Sequence, residues 1–182
     1  HHTVDANTGK KVSFGVVRVA NIPPCVALTQ YLLNAEWSDN IAPRAMAYHS
    51  RQVLLLRSEQ ERHLDAVLKR KEKQHEQPIA FSNEVIRQHL DSTDSEHVIF
   101  ILVATPVEEV GRDHDFDWAI VEPSSYRSII QLAGRVLRHR SLEKDIAQPN
   151  IGLLQYNLKG LRGAKVAFEK PGFEINNDKF KL

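Results

Sequence analysis

At 182 residues the chain is long enough for one domain with a full core plus an extension, and 24 Lys and Arg against 23 Asp and Glu leave a net charge of only +1. That balance excludes a globally basic nucleic-acid binder, so any electropositive surface has to be local. Cys25 is the only cysteine, which excludes an intramolecular disulfide framework and a thiolate metal cage and fits a reducing cytoplasm; with no apolar run of spanning length and no signal-peptide pattern at the start, no membrane partner is expected.

Residues 12–20 (VSFGVVRVA) are predicted as a buried strand. Asn21-Ile22-Pro23-Pro24 reads as a turn whose prolines suit the first turn of a helix running to about Asn34. A polar connector over residues 37–43 leads to a short strand, residues 44–49 (RAMAYH), which ends in Tyr48-His49-Ser50-Arg51. His49, Ser50 and Arg51 can all donate to phosphate; an ordinary polar strand-to-helix turn explains the same four residues equally well. Residues 57–77 read as a densely charged helix with a thin apolar stripe of Leu64, Val67 and Leu68. Within it Lys69-Arg70-Lys71-Glu72-Lys73 is expected to be a solvated face, because glutamates interleave and no aromatic residue lies nearby for base stacking. Pro78 ends that helix; Ser82 is expected to cap the next one, with Val85, Ile86 and Leu90 inward. Residues 91–96 (DSTDSE) form a polar loop.

The stretch 97–140 organises the rest and is predicted as strand, loop, strand, helix. Residues 98–104 (VIFILVA) form a continuous apolar, β-branched run, which suits a strand covered on both faces of a parallel sheet. The loop 105–115 follows its carboxyl end, where ligands sit in open α/β sheets. In the helix expected next, Gln131, Arg135 and Arg138 fall within a sector of roughly 60° at about 100° per residue. Ile129, Ile130, Leu132, Ala133, Val136 and Leu137 lie opposite and are expected to pack on the core. Gly134 removes bulk beside Arg135, at a helix cost of about 1 kcal/mol relative to Ala. Guanidinium forks fit phosphate oxygens and stay charged at any working pH. Taken alone, such a helix is more often a solvated basic face; the strand and acidic loop upstream shift the reading towards a clamp for a nucleotide's terminal phosphates. The alternation of elements is that of an open α/β sheet. After Arg140 the pattern weakens: residues 151–156 suggest one more strand, and residues 157–182 are rich in Lys, Gly and Asn. The expected division is a domain over residues 1–145 and an extension over residues 146–182 leading to a neighbouring domain.

Gln131-Leu132-Ala133-Gly134-Arg135-Val136-Leu137-Arg138 matches the QxxGRxxR pattern of superfamily 2 helicases, their motif VI, and Thr105 to Asp113 (TPVEEVGRD) resembles motif V in the same order and spacing. Beyond these motifs, the wording of residues 47–68 and 103–140 and the tail 167–174 (AFEKPGFE) is similar to the CRISPR-associated nuclease-helicases of type I-F systems, a resemblance covering about residues 13–174. It implies a RecA-like second helicase lobe, an open and mostly parallel sheet with flanking helices. It further implies that Thr105 bonds a backbone phosphate of the tracked strand, with Tyr48 to Arg51 also touching that backbone. Gly111 and Asp113 then lie near the nucleotide's sugar, with Gly134 in the same nucleotide site. One or both of Arg135 and Arg138 then stabilise charge on the γ-phosphate in the manner of an arginine finger, and Gln131 contacts that phosphate or the attacking water. Glu109 matches a frequent family acid, while Glu108 is expected to be solvated. Pro106, where glutamine is usual, and Arg112 and His114, where apolar residues are usual, depart from the pattern, which puts the loop's conformation in question.

The chain contains no GxxxxGK(S/T) phosphate cradle and no DEAD or DEAH acid pair, which belong to a first lobe. The resemblance implies ATP as the nucleotide, with magnesium expected only through that missing lobe, and the chain alone should neither hydrolyse ATP nor unwind DNA. The partners the resemblance implies are single-stranded DNA, the first lobe and nuclease domain of the same protein, and a CRISPR effector complex. His114-Asp115 superficially suggests a phosphohydrolase dyad, but with no second histidine at ligand spacing no metal site is expected. Rival readings are another superfamily 2 motor acting on RNA and a non-catalytic α/β module that docks a partner. A small-molecule Rossmann enzyme is disfavoured, since no GxGxxG follows a strand.

Overall fold

A computed structural model describes residues 1–73, 76–109, 111–140 and 148–164. The strands are β1 (Thr3–Val4), β2 (Lys11–Arg18), β3 (Ile41–Tyr48), β4 (His97–Ala104), β5 (Trp118–Val121) and β6 (Ile151–Leu153), joined by helices α1 (Ile22–Asn34), α2 (Leu54–Leu68), α3 (Glu84–Asp91), α4 (Tyr126–Ala133) and α5 (Leu158–Leu161). β3, β4, β2, β5 and β6 lie in that order, all parallel, and β1 pairs antiparallel with β2. This is the open α/β sheet expected from the alternation of elements.

The apolar character of β2 and β4 follows from their central place. α1 covers one face, where Cys25, Leu28 and Leu32 pack on Val17, Ile101 and Val103. α2, α3 and α4 cover the other, setting Leu64, Val67, Leu68, Ile86, Leu90 and Leu132 against Val12, Phe14, Val16, Val98 and Leu102. Each such side chain contributes about 1.5–3 kcal/mol by leaving water. Pro23 sits in the first turn of α1, where its missing N–H costs no helical bond. Among the described residues no helix is long and apolar enough to cross a membrane.

Several local expectations are corrected by the tertiary structure. α2 starts at Leu54 and stops at Leu68, well short of Gln77, because Arg70 turns into the protein. Far from forming a solvated face, Arg70 is 1% exposed and donates to Glu72 (2.7 Å) and Asp117 (2.8 Å). Residues 74 and 75 lie outside the described residues. Asn83, not Ser82, caps α3: its side chain accepts from the amides of Val85 (3.1 Å) and Ile86 (3.3 Å), while Ser82 closes a 3-10 turn, Ile79–Ser82. Val85, expected inward, is exposed. The further strand expected over residues 151–156 is β6, shorter than expected and paired with β5. The tail 167–174, part of the family resemblance, lies outside the described residues.

Gly15 shows how tightly the α1 face is packed. Its neighbour across β5 is Trp118, whose indole lies over it and donates to Ser13 Oγ at 3.2 Å. A Cβ added at Gly15 would sit 2.0 Å from the ring. Gly15→Ala is therefore expected to displace the indole and destabilise the fold by about 1–3 kcal/mol, read as a lowered midpoint in thermal or denaturant unfolding.

Candidate functional site

The parallel strands β3, β4, β2 and β5 end on one edge of the sheet, and the chemistry-bearing segments gather there. β3 and β4 run in register to Tyr48 opposite Ala104, so the 48–51 turn and Thr105 emerge side by side. The Thr105 amide donates to the Tyr48 carbonyl (3.0 Å), and the Thr105 carbonyl accepts from the Glu108 amide (3.2 Å). Gln52 braces the turn by accepting from the His49 amide (3.1 Å) and donating to the Ala47 carbonyl (3.1 Å). His49 Nδ1 is buried without a partner among the described residues, and Ser50 and Arg51 are exposed. The structure thus brings together Thr105, His49, Ser50 and Arg51.

After Thr105 the chain forms a 3-10 turn, Pro106–Glu109, and its two glutamates are buried. Glu109 joins three elements. One carboxylate oxygen accepts from Arg18 Nε of β2 (2.8 Å), the other from Ser128 Oγ of α4 (2.9 Å), and its carbonyl accepts from the Arg135 guanidinium (3.2 Å). Glu108, expected to be solvated, is 0% exposed and accepts from His114 Nδ1 at 2.5 Å. His114 Nε2 faces Asp65 of α2 at 3.1 Å, so the histidine of the apparent dyad is a structural bridge. Among the described residues no group of three potential ligands could hold a metal ion. Val110 lies outside the described residues. Gly111 has φ +69°, the left-handed conformation that favours glycine over any residue with a Cβ.

Arg112 reaches back to α2, placing its guanidinium 2.5 Å from Glu61 Oε1 and 3.0 Å from the Tyr48 hydroxyl. Burial alone would raise the Glu61 pKa, but hydrogen bonds from Tyr48, Arg112 and Arg57 overcome it and hold the carboxyl at about 2. Asp113, two residues beyond Gly111, accepts from His139 Nε2 (2.7 Å) and pairs with Arg138 (3.3 Å). Its pKa is lowered, first by the His139 hydrogen bond.

α4 ends earlier than the 129–138 periodicity suggests, and Arg135 and Arg138 are not on it. Gly134 is its C-cap, and the chain then turns to run beside Phe116. The Phe116 amide donates to the Arg135 carbonyl (2.8 Å), and the Phe116 carbonyl accepts from the Leu137 amide (3.0 Å). Leu137 takes φ 50°, an uncommon conformation for leucine. Ile130, expected on the core side, is 71% exposed, whereas Leu132 is buried and Ile129 and Val136 pack partly against the core. A Cβ at Gly134 would meet only ordinary contacts, 3.5 Å or more away.

The two arginines are nonetheless close enough to act together. Burial and then the neighbouring Arg138 charge push the Arg135 pKa down, and Arg135 Nε is buried without a partner among the described residues. A half-desolvated guanidinium beside a second one is relieved by an anion, which is what a phosphate clamp requires. Gln131, in the last turn of α4, makes no side-chain hydrogen bond to a described residue.

Sequence reasoning missed the groups that aim this segment. Arg140 grips Asp115 (2.7 Å), Asp117 (2.5 Å) and the Phe116 carbonyl (2.8 Å). Arg18 is buried, held by Glu109 and by the Glu122 carbonyl (3.0 Å). The available signals were one arginine ending an apolar strand and aspartates flanking a phenylalanine, neither of which names its partner.

Residues 11–141 match the family described as CRISPR-associated nuclease/helicase Cas3, C-terminal. The chain is 46% identical, over 179 residues, to the CRISPR-associated nuclease/helicase Cas3 subtype I-F/YPEST of Pectobacterium atrosepticum, covering 98% of this chain and 16% of that protein. To the protein of the same description from Pseudomonas aeruginosa it is 44% identical over 174 residues, covering 96% of this chain and again 16% of the relative. It therefore spans about a sixth of these relatives. Crystal structures of T. fusca Cas3 with AMPPNP and with ATP share the fold at 18% identity, with TM-scores of 0.52 and 0.54, each covering 80% of this chain and 15% of that one.

Two stability effects follow from the geometry. Glu109→Ala leaves Arg18 as an unpaired buried cation and is expected to cost about 3–5 kcal/mol in denaturant unfolding. Glu61, depressed in the folded state, adds stability above its unfolded pKa of about 4.3 that disappears as pH falls towards about 2. The melting temperature should therefore drop between about pH 5 and 2, and Glu61→Gln should flatten that drop.

Proposed function

The chain belongs to the CRISPR-associated nuclease/helicase Cas3 family, and we propose that it is the second motor lobe of an ATP-dependent helicase-nuclease that moves along single-stranded DNA and degrades foreign DNA in CRISPR interference. The observation that carries this reading is the convergence at one sheet edge: the loop that starts at Thr105, beside the 48–51 turn, reaches Arg135 through the Glu109 carbonyl and Arg138 through Asp113.

Arg135, Arg138 and Gln131 supply the nucleotide half of the site. Their chemistry fits terminal phosphates: neighbouring guanidiniums, one with a buried Nε that has no partner among the described residues, and an amide with no side-chain hydrogen bond to a described residue. Gly111, Asp113 and Gly134 are assigned to the same nucleotide half. Magnesium and the phosphate-cradling lysine are assigned to the first lobe of the whole protein, so the chain alone is expected to be inactive. Closure of the two lobes brings Arg135 and Arg138 to the phosphate on which charge develops, where preorganised donors stabilise the transition state more than the ground state. Arg138 exchanges its exposed pairing with Asp113 for the phosphate at modest cost, because both side chains are about a third exposed.

Thr105, His49, Ser50 and Arg51 supply the strand half. Their donors address backbone phosphate and carry no sequence information, as suits a motor that must move along any sequence. The nuclease domain of the same protein and the CRISPR effector complex are the proposed partners, and the cytoplasm is the proposed location.

In the full-length protein, Arg135→Ala and Arg138→Ala are each expected to lower ATP hydrolysis stimulated by single-stranded DNA about a hundredfold or more. Unchanged turnover in both variants, or stimulation by RNA in preference to DNA, would overturn the corresponding part of the reading.

A further inference from the structure

We infer that α2 is a coupling arm between the strand half and the nucleotide half of the site, latched to the 105–115 loop by Arg112 on Glu61 and by His114 on Asp65. The inference rests on the motor-lobe reading and adds to it positioning residues that touch neither nucleotide nor strand.

The two latches match in spacing. Glu61 and Asp65 are four residues apart on α2, so their side chains project from one face about 6 Å apart. Arg112 and His114 are two residues apart in a non-helical segment, and extended chain repeats its side-chain direction over about 6–7 Å. A loop held at two such points cannot rotate or slide against the helix without breaking one of them.

Each latch reaches a different end of the site. Glu61 Oε1 receives the Tyr48 hydroxyl (2.7 Å) and Arg57 Nε (2.9 Å) as well as Arg112. Tyr48 is fully buried, ends β3, and immediately precedes His49, Ser50 and Arg51, while its carbonyl accepts from Thr105. Arg112 also stands over the Tyr48 ring, 6.0 Å from its centre, and is adjacent to Asp113, the partner of Arg138. On the other latch, the two ring nitrogens of His114 face carboxylate oxygens of Glu108 (2.5 Å) and Asp65 (3.1 Å). The ring joins Asp65 to Glu108, one residue before the Glu109 that holds Arg135. The helix carrying Glu61 and Asp65 begins directly after the 48–51 turn, at Leu54. A displacement of that turn by a bound strand is therefore delivered to both arginine-bearing contacts through one rigid element.

The Arg112 and Glu61 side chains are 20% and 23% exposed, so this pair is less screened by solvent than an ordinary surface pair. If Arg112 acts through Glu61, removing either should have the same effect, and removing both should add little.

The experiment measures ATP hydrolysis by the full-length protein with and without single-stranded DNA for wild type, Arg112→Met, Glu61→Gln and the double variant, alongside their melting temperatures. The expected result is a stimulation ratio reduced about tenfold in each single variant, no further reduction in the double, and basal turnover near wild type. Arg112→Lys, which keeps the charge but not the planar fork, should recover part of the ratio; it also provides the reading if the methionine variant does not fold. A merely structural role would lower the melting temperature and basal turnover together and leave the ratio intact, which overturns the coupling arm alone. Wild-type protein with no DNA-stimulated turnover overturns the motor reading and this inference with it.

Discussion

Both backbone groups of Phe116 are paired with the segment that leaves α4, and the aim of Arg135 and Arg138 depends on that pairing. Phe116 is itself buried, so its amide and carbonyl would be costly to leave without partners. The chain satisfies them by abandoning the helix after Ala133 and laying residues 135–137 alongside. Arg140 then locks the arrangement from the far side, bonding the aspartates on either side of Phe116 and its carbonyl. A helix continued to Arg138 would have projected both arginines from one rigid rod. The observed turn keeps them neighbours while tying one to the loop carbonyl and the other to Asp113.

Charge is distributed on the same logic. A net charge of +1 hides strong local segregation. Arg18, Arg70 and Arg140 are directed inward onto Glu109, Glu72, Asp115 and Asp117, where they organise loops rather than meet ligands. Breaking such pairs is expensive because the survivor is an uncompensated buried charge. Glu108, expected from the sequence to be solvated, is likewise an internal fastener. Arg51 is exposed at the sheet edge, while Arg135 touches that network only through the Glu109 carbonyl and Arg138 only pairs with the part-exposed Asp113.

The parallel α/β class was legible because it depends on local periodicity. The unbroken apolar runs around Val16 and Leu102 require cover on both faces, and helices between strands provide it. The candidate site was legible in part, through residue types in a fixed order: a hydroxyl and acids after a strand, then glutamine, glycine and two arginines. Less was legible wherever two distant segments meet. Nothing around Lys69-Arg70-Lys71 states that Asp117 awaits Arg70, nor does Glu108 announce His114. Ser82 and Asn83 are both good caps, and only the placement of the preceding 3-10 turn selects the second.

By itself, then, the amino-acid sequence determined the main succession of strands and helices, the buried character of β2 and β4, and the family to which the chain belongs, since all three reside in short-range pattern and motif order. Only the tertiary structure decided where α2 and α4 stop, which acids are buried, and that Thr105 stands beside Tyr48 while Arg135 meets Glu109. The reason is physical. A helix boundary or an ion pair is settled by what a distant segment offers a backbone group or a charge in exchange for water, and that offer exists only once the chain has folded.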